Sequence, residues 1–286
     1  MSPLSPVKTY HTDTYPSINP TSPRLSAKGK NIVISGGSAG IGREIVQSFA
    51  KARASSISIL ARTSSTLLET KETLEQEYPE TKIYTYIADI VKREQVNGAF
   101  EAINSAIGVI DILIANTAYF SAYARLTEAD PEDWYHGFEV SVKGNFNLVN
   151  AFLPFAAADA TVVDISTCII PMAAMPGLSS YHASKVAALK YFEYVHAENP
   201  HLFLIHVHPG CLRTAADSKC PEGTTGIGYD KGALCGDAVV WAVSPEARFL
   251  NGKYIWVNWD VDELKAMSSD IEKSDKLTLG VHGLQY

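Results

Sequence analysis

The sequence predicts an α/β protein whose single domain is one doubly wound, seven-stranded parallel sheet with helices on both faces. From about residue 30 onward, short apolar runs alternate with stretches of helical length, which is the pattern of right-handed βαβ units. The runs are almost continuously apolar, as expected for parallel strands that are buried on both faces. No linker rich in glycine or serine divides the chain, so we expect one domain.

The predicted elements alternate strictly along the chain. Each predicted strand is rich in β-branched, leucine or aromatic residues: NIVIS (31–35), SISIL (56–60), KIYTYIA (82–88), DILIA (111–115), TVVDIS (161–166), LFLIHV (202–207) and KYIWV (253–257). The stretches between them are long enough for helices, which we predict at 41–52, 65–78, 92–106, 132–152, 178–198 and 231–243. Connections of this length allow neighbouring strands to run parallel.

Two flanking segments lie outside the alternating domain, which spans residues 29–258. Residues 1–28 are rich in Ser, Thr and Pro, and we expect an irregular arm that Tyr10 and Tyr15 attach to the domain; a disordered tail is the alternative. Residues 259–286 are expected to pack on the same domain or on a partner subunit. An aromatic pair near this boundary is a candidate for lining a subunit interface: Trp256 and Trp259.

Composition narrows the functional classes. A net charge of −7 and a pI near 5.6 argue against a nucleic-acid-binding protein, which would carry a basic patch. The four cysteines show no C-x-x-C spacing and no clustered histidines, so we predict no metal site and a reducing compartment: Cys168, Cys211, Cys220 and Cys235. No apolar run is long enough to span a bilayer, and the N-terminal stretch lacks a signal peptide's apolar core. We therefore expect no membrane partner and a cytoplasmic protein.

A glycine-rich stretch, SGGSAGIGREIV, follows the first predicted strand. Ligands of doubly wound sheets bind beyond the carboxyl ends of the strands. Gly36, Gly40 and Gly42 would let the backbone turn sharply and approach a pyrophosphate, whose charge is favoured by the N terminus of the next helix. This G-x-x-x-G-x-G spacing between a strand and a helix predicts a dinucleotide site, with a plain glycine-rich turn as the alternative.

The ends of the second, third and fourth strands predict the adenosine side of that site. Sites that prefer NAD usually place an acid about twenty residues after the glycines, but this chain has Arg62, Thr63 and Ser64 there. A guanidinium beside two hydroxyls can hold a 2′-phosphate, so we predict NADP; a solvated loop charge is the alternative. Asp89 is placed to meet the adenine amino group or to cap the next helix. Asn116 and the backbone around it would line the ribose.

A tyrosine and a lysine follow the fifth predicted strand. Tyr181 and Lys185 lie four residues apart, hence on one helix face. A nearby ammonium favours the phenolate and lowers a tyrosine pKa by roughly 1–3 units, so we expect Tyr181 to exchange a proton with a carbonyl or alcohol oxygen. The pattern Y-x-x-x-K alone is common on ordinary helix surfaces. Its position after the fifth strand of a dinucleotide fold favours the chemical interpretation.

These motifs together resemble the short-chain dehydrogenase/reductase family. The resemblance covers about residues 29–258, and the flanks look like those of fungal members, many of which act in secondary metabolism. It implies a Rossmann-like domain, NAD(P)-dependent carbonyl–alcohol chemistry and a homodimer or homotetramer. In the family a Pro-Gly motif cups the nicotinamide. The predicted cofactor-binding residues are Gly36, Ser38, Gly40, Ile41, Gly42, Arg62, Thr63, Ser64, Asp89, Ile90, Asn116, Thr117, Ala118, Tyr181, Lys185, Pro209, Gly210, Leu212 and Thr214.

Three positions depart from the family pattern. Ala118 carries a side chain where the family has glycine, and Ser141 replaces an asparagine that helps to hold a water next to the lysine. The family's catalytic serine commonly stands thirteen residues before the tyrosine, which is Cys168 here, whereas the register of DIST places it at Thr167. Hydroxyls are the better donors, so we favour Thr167, with Ser166 and Cys168 left open. The predicted catalytic set is Thr167, Tyr181, Lys185 and Ser141.

The sequence predicts the substrate less precisely than the fold or the cofactor. Apolar residues after the fourth and fifth strands predict a pocket for a bulky, hydrophobic ketone or alcohol: Tyr119, Phe120, Ile169, Met172 and Met175. Residues 214–230 suit a lid over the substrate. We therefore expect an NADP(H)-dependent oxidoreductase acting on a small molecule. A non-redox cyclase or isomerase on the same scaffold is the alternative, and a sensor without catalysis is a third hypothesis that the intact tyrosine–lysine pair argues against.

Overall fold

The computed structural model describes residues 5–214, 219 and 228–281. Seven strands form one sheet in the order β3-β2-β1-β4-β5-β6-β7, and every neighbouring pair is parallel. The order in which strands are added along the sheet reverses between β1 and β4, and ligands of doubly wound sheets bind in the crevice at this switch point. The predicted fold class is therefore confirmed. The switch point lies at the carboxyl end of β1, where the glycine-rich stretch begins.

The strands lie close to their predicted positions: β1 Asn31–Ser35, β2 Ser56–Ala61, β3 Lys82–Ile87, β4 Ile110–Ala115, β5 Ala156–Ile165, β6 Phe203–His208 and β7 Lys253–Trp256. The α-helices of the described residues are α1 Gly40–Lys51, α2 Ser64–Glu77, α3 Arg93–Ile107, α4 Pro131–Phe138, α5 Asn145–Phe152, α6 Ser179–Glu198, α7 Gly232–Ala242, α8 Val261–Ala266 and α9 Ser268–Glu272.

The helical stretch predicted over 132–152 is confirmed, although it is not α-helical throughout. It is two α-helices joined by a π-helical segment, Glu139–Gly144. At Gly144 the chain passes so close to Ile90 that an added Cβ would lie 2.6 Å from its side chain. A side chain at this position would force Ile90 to shift, and the close approach brings the widened turn against the segment that follows β3. Such π-helical turns are rare and are often found at functional sites.

Apolar side chains fill the space on both faces of the sheet. Alternate residues of β1 point to opposite faces, so Ile34 packs with α1, α2 and α7 while Val33 packs with α3, α5 and α6. Phe49 and Trp241 are fully buried on the first face, and Phe152 is fully buried on the second. The two layers hold the carboxyl ends of the strands rigidly.

The N-terminal arm lies against the body of the protein. Tyr10 forms an isolated antiparallel bridge with Trp259, and the backbone N–H of His11 donates to the carbonyl oxygen of Asn258 over 2.8 Å. Trp256 and Trp259 stack on each other and are buried within the chain, so the expectation that they line a subunit interface is wrong. Within the residues that the structure describes, no helix combines the length and apolar character that a membrane crossing requires.

Short helices near the C terminus were not predicted from the sequence. The side chain of Asp260 accepts hydrogen bonds from the backbone N–H groups of Asp262 and Glu263 and so caps α8. Apolar residues of α8 and α9 are buried in the core that includes α7. These helices are too short for a periodic signal, so their stability depends on this tertiary burial.

Candidate active site

The glycine-rich loop between β1 and α1 adopts a conformation that requires glycine. Gly36 has φ +69° and Gly40 has φ +52°, in the left-handed region. A Cβ on Gly42 would lie 2.2 Å from the carbonyl oxygen of Gly36, so the first turn of α1 closes directly onto the loop. No side chain caps this end of α1. The loop therefore offers backbone N–H groups to an anion, and it fits the pyrophosphate of a dinucleotide.

Asn116 holds this loop in place. Its Nδ2 donates to the carbonyl oxygens of Ser35 and Gly36 over 2.9 and 3.2 Å. The hydroxyl of Ser35 accepts in return from the backbone N–H of Asn116 over 3.0 Å. The Nδ2 atom of Asn116 is thus engaged within the protein, and the role of Asn116 and the backbone around it at the ribose stays a prediction.

A cavity of about 220 Å³ opens beside the loop, at the carboxyl ends of β1 to β4. Eight residues predicted to bind cofactor line it: Gly36, Ser38, Arg62, Thr63, Asp89, Ile90, Thr117 and Ala118. Six others were not predicted as cofactor contacts: Ala39, Leu60, Ala61, Ala88, Tyr119 and Val140. Most of these six are apolar, and apolar residues carry no motif that marks them in a sequence. Tyr119, expected in the substrate pocket, is thus placed on the cofactor side.

Two polar residues at the cavity give its chemical character. Arg62 is exposed, and it follows β2 where NAD-preferring sites carry an acid. Asp89 accepts a hydrogen bond through Oδ1 from the backbone N–H of Val91 over 3.0 Å. The cap position of α3 is Lys92, and no side chain caps it, so Asp89 stabilises the turn before α3 rather than the helix end. Both side chains meet the same cavity, one positive and one negative.

The side chains of Thr167 and Tyr181 lie near each other beyond the end of β5. Burial raises the pKa of Tyr181 to about 12. The Thr167 side chain acts in the opposite direction and lowers this pKa by a smaller amount. The ring of Phe120 lies 4.6 Å from the ring of Tyr181, so an apolar wall stands beside the phenol. At neutral pH the phenol is therefore protonated, which is the form that donates a proton to a carbonyl oxygen.

Lys185 is one helical turn further along α6 and is buried. Its Nζ donates to the carbonyl oxygen of Ile165 over 2.6 Å. Burial lowers the pKa of Lys185, and the carboxylate of Asp164 acts in the opposite direction. The sequence predicted that Lys185 would lower the pKa of Tyr181; in the structure burial dominates instead and raises it.

The three candidate partners of Tyr181 occupy different environments. The hydroxyl of Ser166 is buried and has no hydrogen-bond partner among the described residues. The backbone N–H of Cys168 donates to His208 Nδ1 over 3.0 Å, and its thiol meets Cys211. Of the three, the Thr167 side chain is the one that acts on the phenol and lowers its pKa. The geometry thus supports the preference for Thr167 that the strand register suggested.

Thr167 is held from behind by a residue that the sequence did not reveal. The buried hydroxyl of Tyr254, on β7, donates to the Thr167 carbonyl oxygen over 2.9 Å. The two residues are 87 positions apart in the chain, so no local pattern could indicate the contact. Tyr254 is therefore part of the support of the predicted catalytic threonine.

Ser141 lies in the π-helical segment between α4 and α5. Its buried hydroxyl has no hydrogen-bond partner among the described residues. Its carbonyl oxygen accepts from Asn145 Nδ2 over 2.7 Å. The neighbouring α4 packs tightly on α6, since a Cβ on Gly137 would lie 2.5 Å from the Ser180 hydroxyl. Ser141 thus lies on an element packed against the helix of Tyr181, and its contribution to the proton path stays a prediction.

The loop after β6 closes the other side of the site. Gly210 has φ +81°, and the backbone N–H of Cys211 donates to Asp230 Oδ2 over 2.8 Å. Thr214 lies against the glycine-rich loop, since a Cβ on Gly40 would be 3.3 Å from its methyl group. The two predicted cofactor-binding loops are therefore in contact. Pro209 is buried, and Leu212 packs against the core. Much of the predicted lid over 214–230 lies outside the described residues.

The remaining residues that were predicted to contact cofactor or substrate do not line the cavity. Ile41, Gly42 and Ser64 support the cavity as parts of α1 and α2 rather than lining it. Ile169 is buried in the core, and its place in a substrate pocket stays a prediction. Met172 and Met175 are partly buried against the same core cluster as Tyr181.

Fold and site together define an α/β protein built to hold a dinucleotide beside a protonated tyrosine. The family model of the short chain dehydrogenases matches residues 30–224, so the chain belongs to this family of nicotinamide-dependent oxidoreductases. The site residues fit that cofactor because the loop from Gly36 to Gly42 forms a cradle that side chains would fill.

Curated relatives come from fungi. The chain is 31% identical over 274 residues to the short chain dehydrogenase mpl6 of Monascus purpureus, with 93% of each chain covered. It is 32% identical over 284 residues to the short chain dehydrogenase/reductase AacuD of Aspergillus aculeatus, with 97% of each covered. The matched regions cover most of this chain and most of each relative.

Solved structures share the fold. The oxidoreductase yciK from E. coli has a TM-score of 0.75 at 20% identity, covering 82% of this chain and 98% of that one. A blue fluorescent protein from a metagenomic library, in complex with NADPH, has a TM-score of 0.73 at 23% identity, covering 82% of this chain and 98% of that one.

Proposed function

We propose that this protein is an NADP(H)-dependent oxidoreductase that interconverts a carbonyl and an alcohol on a bulky, hydrophobic small molecule, with a fungal secondary metabolite as the substrate class. The Thr167 side chain lies near enough to the Tyr181 phenol to lower its pKa, and the buried Lys185 lies one helical turn further along α6; this constellation carries the proposal. This arrangement places a neutral proton donor beside a second hydroxyl, as carbonyl reduction requires.

The proposed mechanism assigns a separate task to each side chain. Tyr181 donates its proton to the carbonyl oxygen during reduction and removes it during alcohol oxidation. Thr167 donates a hydrogen bond to the same oxygen and so fixes the substrate relative to the phenol. Lys185 is the residue that would hold the nicotinamide ribose, and its charge favours the phenolate formed as the proton leaves. The bound nicotinamide supplies or accepts the hydride.

The preference for a bulky, hydrophobic substrate is supported by the surroundings of Tyr181. Phe120 lies against the phenol ring, and Met172 and Met175 pack in the same apolar cluster. The test is stoichiometric. With aryl ketones as probes, we expect one NADPH oxidised for each carbonyl reduced, and Tyr194→Phe, on the exposed face of α6, should behave as wild type. Product formed without NADPH consumption would contradict the proposed oxidoreductase.

Two observations support the proposed preference for NADP. Arg62 and Thr63 line the cavity, and no acidic residue directly follows β2. A charge-assisted bond contributes about 1.5–3 kcal/mol, so Arg62→Ala should weaken NADPH binding roughly 10–100-fold. Binding of NADH, which lacks the 2′-phosphate, should change little. Fluorescence titration with both nucleotides measures the difference.

A matched control separates the local contact from net charge. Arg125 is exposed and outside the cavity lining, so Arg125→Ala removes the same charge at another place. It should leave both affinities unchanged. Equal losses for NADPH and NADH in Arg62→Ala would show that the guanidinium does not recognise the 2′-phosphate.

A non-redox cyclase or isomerase remains the second candidate because of Ser141. The family's asparagine is absent there, and the buried serine hydroxyl has no partner among the described residues. If the lysine's proton path is broken, the same phenol and threonine could still polarise a carbonyl without hydride transfer. The NADPH stoichiometry above distinguishes the two candidates.

We also propose a homodimer or homotetramer in the cytoplasm, without a nucleic-acid or membrane partner. The net charge of −7 supports the exclusion of nucleic acid. Sedimentation velocity should give a mass that is two or four times 31.1 kDa. A species with the mass of one chain at micromolar concentration would contradict the assembly.

A further inference from the structure

Two thiols and an imidazole meet beside the candidate active site. Cys168, His208 and Cys211, which we call the thiol cluster, bring their side-chain sulfur and nitrogen atoms within 4.8 Å of one another. Cys168 follows the predicted catalytic Thr167, and Cys211 follows Gly210 in the predicted nicotinamide loop. The sequence did not predict this cluster, because Cys168 and Cys211 are brought together only by the pairing of β5 with β6.

The two thiols of the cluster are not equivalent. The side chain of Cys211 hydrogen-bonds to the Cys168 sulfur and so lowers the pKa of Cys168, and Thr167 acts in the same direction. The same contact raises the pKa of Cys211, and burial raises it further. Cys168 is therefore the thiol that ionises more readily, and Cys211 is the one that keeps its proton. A more readily ionised thiol beside a protonated one is the usual arrangement of an attacking and a resolving cysteine.

A metal ion is the other occupant that two cysteines and one histidine suggest. The hydrogen bonding of His208 argues against it. Its Nδ1 accepts from the backbone N–H of Cys168 over 3.0 Å, so the neutral ring carries its proton on Nε2. The lone pair of Nδ1 is used by this hydrogen bond, and the protonated Nε2 has no lone pair to offer. Neither nitrogen can therefore bind a metal ion in this arrangement.

We propose that Cys168 and Cys211 form a redox-active pair that a peroxide converts into an intramolecular disulfide. In the first step the Cys168 thiolate attacks a peroxide oxygen, which leaves a sulfenic acid on Cys168 and releases hydroxide, neutralised by the proton that the thiol had lost. In the second step the Cys211 sulfur attacks the sulfenic sulfur and water leaves. Two thiols and one hydrogen peroxide thus give one disulfide and two waters.

The fold favours this reaction over random oxidation. Ile165 and Val207 are paired in the sheet, so the loops that carry the two thiols leave adjacent strands. Cys211 is partly exposed and Cys168 is buried, so a small oxidant is required rather than a protein disulfide. The other described cysteine, Cys235, is fully buried in α7.

Disulfide formation would alter the candidate active site. The sulfur atoms of a disulfide are only about 2.05 Å apart, so closure draws the residue after Thr167 towards the loop of Gly210. The Cys168 sulfur, on which the Thr167 side chain acts in the reduced protein, is then bonded to Cys211. We expect the oxidised protein to lose activity and to regain it with dithiothreitol. This activity test is the only part of the experiment that rests on the proposed function.

Thiol counting tests the pair without any substrate. Cys220 lies outside the described residues, so the experiment uses a Cys220→Ser background, in which three of the four cysteines remain. The native protein is treated with hydrogen peroxide or dithiothreitol, then denatured and alkylated. Mass spectrometry should find three alkylated thiols after reduction and one after oxidation, and a non-reduced peptide map should join Cys168 to Cys211.

Variants make the outcome decisive. Cys211→Ser should prevent the cross-link and leave a sulfenic acid on Cys168 that dimedone traps, whereas Cys235→Ser should keep the cross-link. Three alkylated thiols after peroxide treatment of the folded protein would overturn the proposal, as would a cross-link that includes Cys235. One equivalent of zinc in the purified protein, lost in Cys211→Ser, would identify a metal centre instead.

Discussion

Replacing Tyr181 with phenylalanine is expected to lower kcat about 10²–10⁴-fold, the range that general acid–base catalysis contributes. The substitution removes only the hydroxyl, so the ring keeps its contact with Phe120. NADPH binding should stay within a few-fold of wild type, because the cofactor cavity is formed by the ends of β1 to β4. Single-turnover rates and fluorescence titration measure the two quantities separately.

A second tyrosine on the same helix supplies the control. Tyr194 is exposed on α6, so Tyr194→Phe removes a hydroxyl from this helix without touching the site. It should retain wild-type kcat. If Tyr181→Phe keeps more than a tenth of wild-type kcat, Tyr181 is not the proton donor.

The pH dependence follows from the protonation state of the same phenol. Burial raises the pKa of Tyr181 to about 12, so the neutral form required for reduction persists throughout the neutral range. Alcohol oxidation requires the phenolate, so its rate should increase as the pH rises towards that pKa. Opposite trends of the two directions in an alkaline pH series are expected of wild type and absent from Tyr181→Phe.

Thr167→Val is expected to lower kcat about 10²-fold, comparable to the loss of one hydrogen-bond donor to a reacting oxygen. Valine has nearly the same shape but no hydroxyl, so the change isolates the hydrogen bond. Thr167→Ser keeps the hydroxyl and should retain most of the activity. Ser166→Ala, which removes a hydroxyl without a partner among the described residues, should stay close to wild type.

The threonine variant also has a pH signature that a structural role would not produce. The Thr167 side chain donates the hydrogen bond that lowers the pKa of Tyr181, so its removal should raise this pKa further. The rise of alcohol oxidation with pH should then shift to a more alkaline range in Thr167→Val but not in Thr167→Ser. An unchanged profile with a large loss in kcat would assign the hydroxyl to substrate contact alone.

The fold was predictable because its signals are local. Strand β1 was predicted at 31–35 and is Asn31–Ser35, since a parallel strand buried on both faces appears as a continuous apolar run. The glycine-rich loop was predictable because left-handed backbone and close approach require glycine at fixed positions. The helical stretch over 132–152 was predicted, but its π-helical segment was not, because the periodicity contains no sign of the contact between Gly144 and Ile90.

Sequence by itself determined the sheet, the loop that fits a dinucleotide, and the Tyr181–Lys185 pair, because each depends on residue type at short spacing. The tertiary structure alone decided which hydroxyl meets Tyr181, how Asn116 is used, and that two distant thiols are neighbours. It also reversed the expected direction of the Tyr181 pKa. These properties depend on burial and on contacts between strands remote in the chain, which residue spacing does not encode.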